Sequence, residues 1–254
     1  MTNDIYNEVA VAAIDLLGFS RQVNENINNA LKSIELVRES SREYSFGLVQ
    51  EYDHFSQKTV PKPDINPSRE FFGDSIFFYG NPEAPIRKQV GVLLILTCHI
   101  ILTGILKKQY FARAGIATGN LLIKENKEDK IVIGTAIVNA HQLEKNQNWI
   151  GGAVLFNDYK PPYLELGNKA SLIANYTPPF KEEMGKNQKI FALNWLNELV
   201  LSMAKKNYCF VNEIEQYLNT LKEKENNQVI QTKYENTLNF IQEIKNSNNS
   251  IQRT

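Results

Sequence analysis

Two carboxylates stand where a chain could do chemistry. Asp15 closes the apolar run EVAVAAID and is followed at once by Leu16, Leu17, Gly18, Phe19 and Ser20. Asp74 sits in REFFGDSIFFY, between two aromatic-rich runs. The first position reads as a strand end and the second as a hairpin tip beside Gly73. Carboxylates at neighbouring strand ends repel one another unless something neutralises them. Divalent cations do so, and hard oxygen ligands with open positions suit Mg²⁺ or Mn²⁺ carrying a triphosphate. Gly18 and Phe19 allow a tight turn, so that backbone N–H groups and the start of a following helix face phosphate oxygens. That arrangement supports two-metal phosphoryl or nucleotidyl transfer. Taken singly, Asp15 reads equally well as a helix cap and Asp74 as a turn residue. Their joint occurrence in one strand order favours the metal reading.

The elements that must position them follow in a regular order. EVAVAAID is a buried strand, and Ser20 is an N-cap for a helix from Arg21 into the forties. PKPDINPSR carries three prolines and reads as a loop. REFF and SIFFY form a hairpin. VGVLLILTCHIILTGIL (residues 90–106) is shorter than the ~20 residues of a membrane span and is flanked by Arg87, Lys88, Lys107 and Lys108. It reads as a helix packed on a sheet or at a dimer interface. YFARAGIATG is a strand, LLI and IVIG flank a solvated KENKEDK tip, and TAIVNAHQLEKNQ has helical spacing at Ile137, Ala140 and Leu143. The order β-α-ββ-α-ββ-α predicts an α+β fold: a ferredoxin-like mixed sheet with helices on one face. Beyond about residue 148 the pattern loosens. YKPPYLELG and NYTPPF are connectors, KIFALNW is a strand, and FVNEIEQYLNTLKEKE and KYENTLNFIQEIKN are helices. This divides the chain into a core over 1–146 and an α-rich extension over 147–254, frayed after about 246.

Composition narrows the classes. In 254 residues, Lys+Arg and Asp+Glu both number 28, so the formal charge is zero and no global field argues for nucleic acid or an anionic membrane. Cys98 and Cys209 form no CxxC and no secretory leader is visible, so a reduced, cytoplasmic protein with no membrane segment is expected. His54, His99 and His141 lack metal-ligand spacing. Trp149, Trp195 and Cys98 read as core.

Four of these segments together resemble class III nucleotidyl cyclases. AIDLLGFS is similar to that family's D-hydrophobic-x-G-F-[ST] signature, FFGDSIFF to its second metal-aspartate hairpin, ARAGIATG to its R-x-G-I-x-x-G strand and GTAIVNAHQLE to its late helix. The resemblance spans residues 9–144. It implies two divalent cations, Mn²⁺ or Mg²⁺, on Asp15, Asp74 and the Leu16 carbonyl, with Arg113 as a phosphate contact. It also implies a nucleoside triphosphate substrate and a head-to-tail homodimer with sites at the interface.

Departures from the pattern are as informative. Where adenylate cyclases carry a base-reading lysine this chain has Glu70, as guanylate cyclases do, and Ile131 falls at the second base-reading position. The family's transition-state asparagine and arginine fall on Val138 and Gln142, with Asn139 one place out of register. A branch of bacterial cyclases with a similarly degenerate late helix also resembles this chain beyond the core, in NWIGG, FALNW and KYENTLNF. These are the pyrimidine cyclases of Pycsar antiphage systems, which make cyclic UMP or cyclic CMP. That resemblance implies a uridylate cyclase before a cytidylate cyclase, whose product is read by a separate effector. Tyr6 and Arg69 are candidates to narrow and read a pyrimidine pocket together with Glu70. Tyr6 reads equally as an interfacial aromatic, and Arg69 with Glu70 as a surface ion pair. A purine cyclase, and a catalytically silent nucleotide-binding relative, remain the alternatives.

Overall fold

The computed structural model describes residues 2–56, 66–125, 130–156, 171–182, 189–206 and 209–251. The opening apolar run lies within a 16-residue strand, β1 (Thr2–Leu17). Side chains alternate across a strand, so a run apolar at every position must be covered on both faces. Ala10, Ala12, Ile14 and Leu16 enter one apolar cluster, and Val9, Val11 and Ala13 enter another.

After β1 the chain turns at Gly18 in the left-handed region (φ 77°) and enters α1 (Phe19–Glu25). Gly18, not Ser20, occupies the cap position, and the expected single helix is two. Asn26 leaves helical geometry (φ −162°, ψ 103°) and its Oδ1 accepts from the Asn28 amide at 3.0 Å, starting α2 (Ile27–Ser56). The proline segment falls mostly outside the described residues, and its last two residues begin β2 (Ser68–Phe72). The expected hairpin follows, with β3 (Ser75–Tyr79) and Gly73 at φ 62° in the turn.

The long apolar helix is α3 (Ile86–Lys107), which packs on the even-numbered face of β1 with α2. Among the described residues it is the one helix long and apolar enough to cross a membrane, and here protein covers it. Cys98 is buried in it. The runs read as two strands are one, β4 (Phe111–Glu125), which pairs with β1 along its length. β5 (Lys130–Ile133) folds back on its far half, and the tip between them lies outside the described residues. α4 (Thr135–Asn146) then covers part of the second face, where Ala136, Ala140 and Leu143 meet Val9, Val11 and Ala13.

The chain beyond residue 146 continues the same sheet. β6 (Gly151–Phe156) lies parallel to β4, and β8 (Lys189–Leu193) joins it to β7 (Ile173–Ala174), giving the order β2-β3-β1-β4-β6-β8-β7 with β5 also on β4. YKPPYLELG lies outside the described residues. Three helices follow: α5 (Glu198–Met203), α6 (Phe210–Lys224) and α7 (Gln228–Ile251), the last running past the point where the sequence predicts fraying. Phe240 of α7 packs edge-on against Trp149 at 4.9 Å and lies 5.8 Å from Trp195, both tryptophans being fully buried.

Candidate active site

The sheet register brings the two carboxylates together. Asp15 pairs across β1 and β3 with Ser75, and the Leu16 amide donates to the Asp74 carbonyl at 3.2 Å. Asp74 therefore flanks Asp15 at the same end of the sheet. The Asp15 side chain is only 24 % exposed. Burial raises its pKa, Arg113 opposes that, and the Asp74 charge adds to the rise. A pair that repels itself in this way is a sink for cations. Among the described residues no three His, Cys, Asp or Glu side chains cluster as a complete cage. Two carboxylates with a strand-end carbonyl form an open oxygen set of the kind that suits Mg²⁺ or Mn²⁺, which keep water and substrate oxygens as further ligands. Asp15, Asp74 and Leu16 fit that role.

Arg113 lies directly across β4 from Asp15. Its Nε donates to Glu144 at 2.6 Å, one Nη to the Gln147 carbonyl at 3.0 Å, and the other reaches Asp15 at 3.4 Å. The guanidinium is buried and engaged within the chain on all three nitrogens. As it stands it orients Asp15 and ties α4 to β4; a phosphate would meet it beside that Asp15 contact. Burial, against the pull of Arg113, raises the Glu144 carboxyl to about 7. The close approach of α4 needs Gly115: a Cβ there would stand 2.5 Å from the Glu144 amide nitrogen and inside the Ala140 carbonyl oxygen.

The residues assigned to the base fall into two groups. Glu70 pairs across the hairpin with Phe77, whose β1 partner is Ala13, so it shares the face of Asp15 two strands away. Its carboxylate accepts from Lys130 at 2.7 Å and from the Tyr79 hydroxyl at 3.4 Å, and the Lys130 ammonium stands over the Tyr79 ring. Arg69, the next residue, points to the other face and donates to Ser41 of α2 at 2.9 Å. The two form no ion pair, because neighbouring strand residues face opposite ways. Tyr6 packs into the α4-side cluster near Leu121, roughly 30 Å from Asp15 at ~3.3 Å per strand residue. One chain therefore does not bring Tyr6, Arg69 and Asp15 into one pocket. Ile131 is half-exposed beside Lys130, and Val138 and Gln142 face outward on α4. Phe19 leans on the core and Ser20 is exposed, both directly behind the Gly18 turn.

Two lysines missed by the sequence reading complete the cluster. The segment around Phe180 bridges to Gln147, the Lys181 amide donates to the Asn146 carbonyl at 2.7 Å, and Lys181 Nζ donates to the Lys145 carbonyl at 2.6 Å. Burial and then the Arg113 charge lower the pKa of Lys181. Lys233 of α7 is lowered in the same way, by burial, Arg113 and Lys181. No local pattern marks either residue; a chain reversal places them. A cavity of about 410 Å³ lined by Leu36, Ser40, His99, Thr103 and Lys206 lies between α2, α3 and α5, away from the aspartates.

No protein-family model matches the chain, and no curated protein matches it in sequence. Its fold does have solved counterparts. The adenylyl cyclase CyaB from P. aeruginosa superposes with a TM-score of 0.50 at 16 % identity, over 76 % of this chain and 96 % of that one. The guanylyl cyclase domain of the RhoGC fusion protein from the fungus Blastocladiella emersonii gives 0.49 at 11 % identity, over 76 % and 98 %. The chain has the fold of a class III nucleotidyl cyclase catalytic domain.

Proposed function

We propose that the protein is a metal-dependent nucleotidyl cyclase that converts a pyrimidine nucleoside triphosphate, UTP before CTP, to the 3′,5′-cyclic nucleotide and pyrophosphate. The observation that carries the reading is the placement of Asp15 and Asp74 side by side at one end of β1 and the β2–β3 hairpin in a cyclase fold. Asp15, Asp74 and the Leu16 carbonyl would hold two divalent cations, Mn²⁺ or Mg²⁺. Such ions, when bound, supply Lewis acidity at the α-phosphate and lower the pKa of the attacking hydroxyl. The substrate's 3′-oxygen bonds to the α-phosphorus, the bond to the bridging oxygen breaks, pyrophosphate leaves, and the hydroxyl proton passes to solvent. Arg113, fixed by Glu144 and Gln147, keeps the Asp15 carboxylate aimed across the sheet. The turn at Gly18, Phe19 and Ser20 would flank the phosphates.

Base choice rests on Glu70 and Lys130, an acceptor and a donor already oriented against one another. Such a pair suits an N–H and carbonyl edge, which uracil presents and guanine presents too, and the full-length resemblance to Pycsar cyclases favours the pyrimidine. Glu70 stands two strands from Asp15, on the hairpin that carries Asp74, and the resemblance to class III cyclases favours a homodimer with sites at the interface, one chain reading the base and the other holding the phosphates. Exposed Phe72 and Val138, flanking Phe77 and His141, offer an apolar face for that contact. A second messenger of this kind would be read by a separate effector, in the manner of antiphage defence.

Incubation of the protein with all four nucleoside triphosphates and Mn²⁺, with products identified by mass, tests the reading. A cyclic pyrimidine nucleotide should dominate and vanish in Asp15→Ala and Asp74→Ala while both variants stay folded. A dominant cyclic purine would overturn the pyrimidine assignment, and undiminished product from either variant would overturn the metal assignment.

A further inference from the structure

We propose that Lys233, on the C-terminal helix α7, binds the outer phosphates of the nucleoside triphosphate, so that this helix is part of the active site; the inference rests on the cyclase reading above. The strand order places Asp74, Asp15, Arg113 and Gly151 in one line across the ends of β3, β1, β4 and β6. Each step is about 4.8 Å, so the line runs roughly 14 Å, long enough for a triphosphate whose α-phosphate lies at the aspartates.

Helix α7 docks at the far end of that line. The Tyr234 ring meets Phe111 edge-on at 5.7 Å, two residues before Arg113. Asn236 donates to the Asn148 carbonyl at 2.7 Å, and Thr237 Oγ1 accepts from the Ile150 amide at 2.9 Å, one residue before Gly151. Lys233 is one turn before Thr237 on the same face of the helix. It is half-buried, and its ammonium hydrogen-bonds none of the described residues. Its pKa is lowered by burial and by its cationic neighbours, Arg113 before Lys181.

Arg113 and Lys181 repel this ammonium and Asp15 and Glu144 attract it, yet none of them hydrogen-bonds it, which leaves its donors for a further anion. The exposed α4 positions Val138 and Gln142 carry no charge. Arg113 is held by Glu144 and the Gln147 carbonyl. Around the line Asp15, Asp74 and Glu144 face Arg113, Lys181 and Lys233. Two divalent cations and a fully ionised triphosphate add no net charge, and Lys233 supplies a cation at the end of the line where the outer phosphates would lie.

The experiment is titration of the full-length protein with inorganic tripolyphosphate in the presence of Mg²⁺, read by calorimetry beside cyclisation kinetics. Lys233→Met should weaken tripolyphosphate binding by about tenfold, the loss of one charge-assisted hydrogen bond, and raise KM for the nucleotide in parallel. Lys233→Arg should restore most of both, and binding of a nucleoside monophosphate should not change. Wild-type affinity for tripolyphosphate in a folded Lys233→Met would make Lys233 a solvated surface lysine and overturn the inference, leaving the cyclase reading intact. Should Lys233→Met fail to fold, native protein with ¹³C-methylated lysines decides: the Lys233 signal must move on addition of tripolyphosphate, and a stationary signal refutes the contact. A native protein that binds no tripolyphosphate and forms no cyclic product overturns both readings together.

Discussion

Gly115→Ala is the substitution on which the built site depends most directly. An alanine Cβ at this position would stand 2.5 Å from the Glu144 amide nitrogen and collide with the Ala140 carbonyl oxygen, both backbone atoms of α4. No rotamer relieves a clash between Cβ and backbone, so α4 must lift from β4. Overpacking of this kind costs about 1–3 kcal/mol. If α4 lifts far enough to part the 2.6 Å Arg113–Glu144 contact, a buried ion pair is broken as well. At ~2–4 °C per kcal/mol for a domain of this size, the melting temperature should fall by roughly 5–10 °C. Gly73→Ala is the matched control, since its Cβ would meet nothing within 4 Å. It bears only the left-handed backbone penalty of about 1–2 kcal/mol. Thermal unfolding followed by circular dichroism checks the difference, and cyclisation assayed well below the transition checks the site. Gly115→Ala should lose activity even where it is folded, because Arg113 no longer has its partner. Melting of Gly115→Ala within about 2 °C of the native protein would refute the close approach of α4 as the organising contact.

Two further outcomes follow from the same geometry. Glu144 titrates in the folded protein near 7, above its ordinary 4.5, so its protonated form favours the fold at low pH and that contribution is lost as pH rises from about 4.5 through about 7. Relative to Glu144→Gln the native protein should lose about 3 kcal/mol across that window, and parallel melting-versus-pH curves for the two proteins would contradict the buried environment. Phe72 is 66 % exposed at the hairpin tip, so Phe72→Glu should leave subunit melting unchanged while shifting sedimentation from dimer to monomer and removing activity. An equally stable and active dimer would rule that face out as the subunit contact.

How much of this was written in the chain is clearest residue by residue. The strand ending at Asp15, the hairpin carrying Asp74, the helix over 86–107 and the late helix were legible because their signals are local. A run apolar at every position, a Gly-Asp between aromatic runs and a 3.6-residue apolar repeat each act within one segment. Boundaries were less legible: the left-handed Gly18 and the extended Asn26 split one expected helix into two, and β4 absorbed two expected strands because β1 is long enough to pair with all of it.

The site divides along the same line. Sequence alone marked one carboxylate at a strand end and another at a hairpin tip, because strand and turn signals are properties of neighbouring residues, and the register of β1 on β3 set the two side by side. It also set Arg69 and Glu70 side by side, and only the pleat of β2 sent them to opposite faces, one to Ser41 and the other to Lys130. Tyr6 and Asp15 share one strand, yet the rise of an extended chain holds them at its two ends. Glu144, Lys181 and Lys233 became neighbours of Arg113 only through tertiary packing, when α4 settled on Gly115, Phe180 bridged to Gln147 and α7 closed on Ile150. Long-range contacts of this kind depend on which faces bury one another, and no spacing within a single segment encodes that choice.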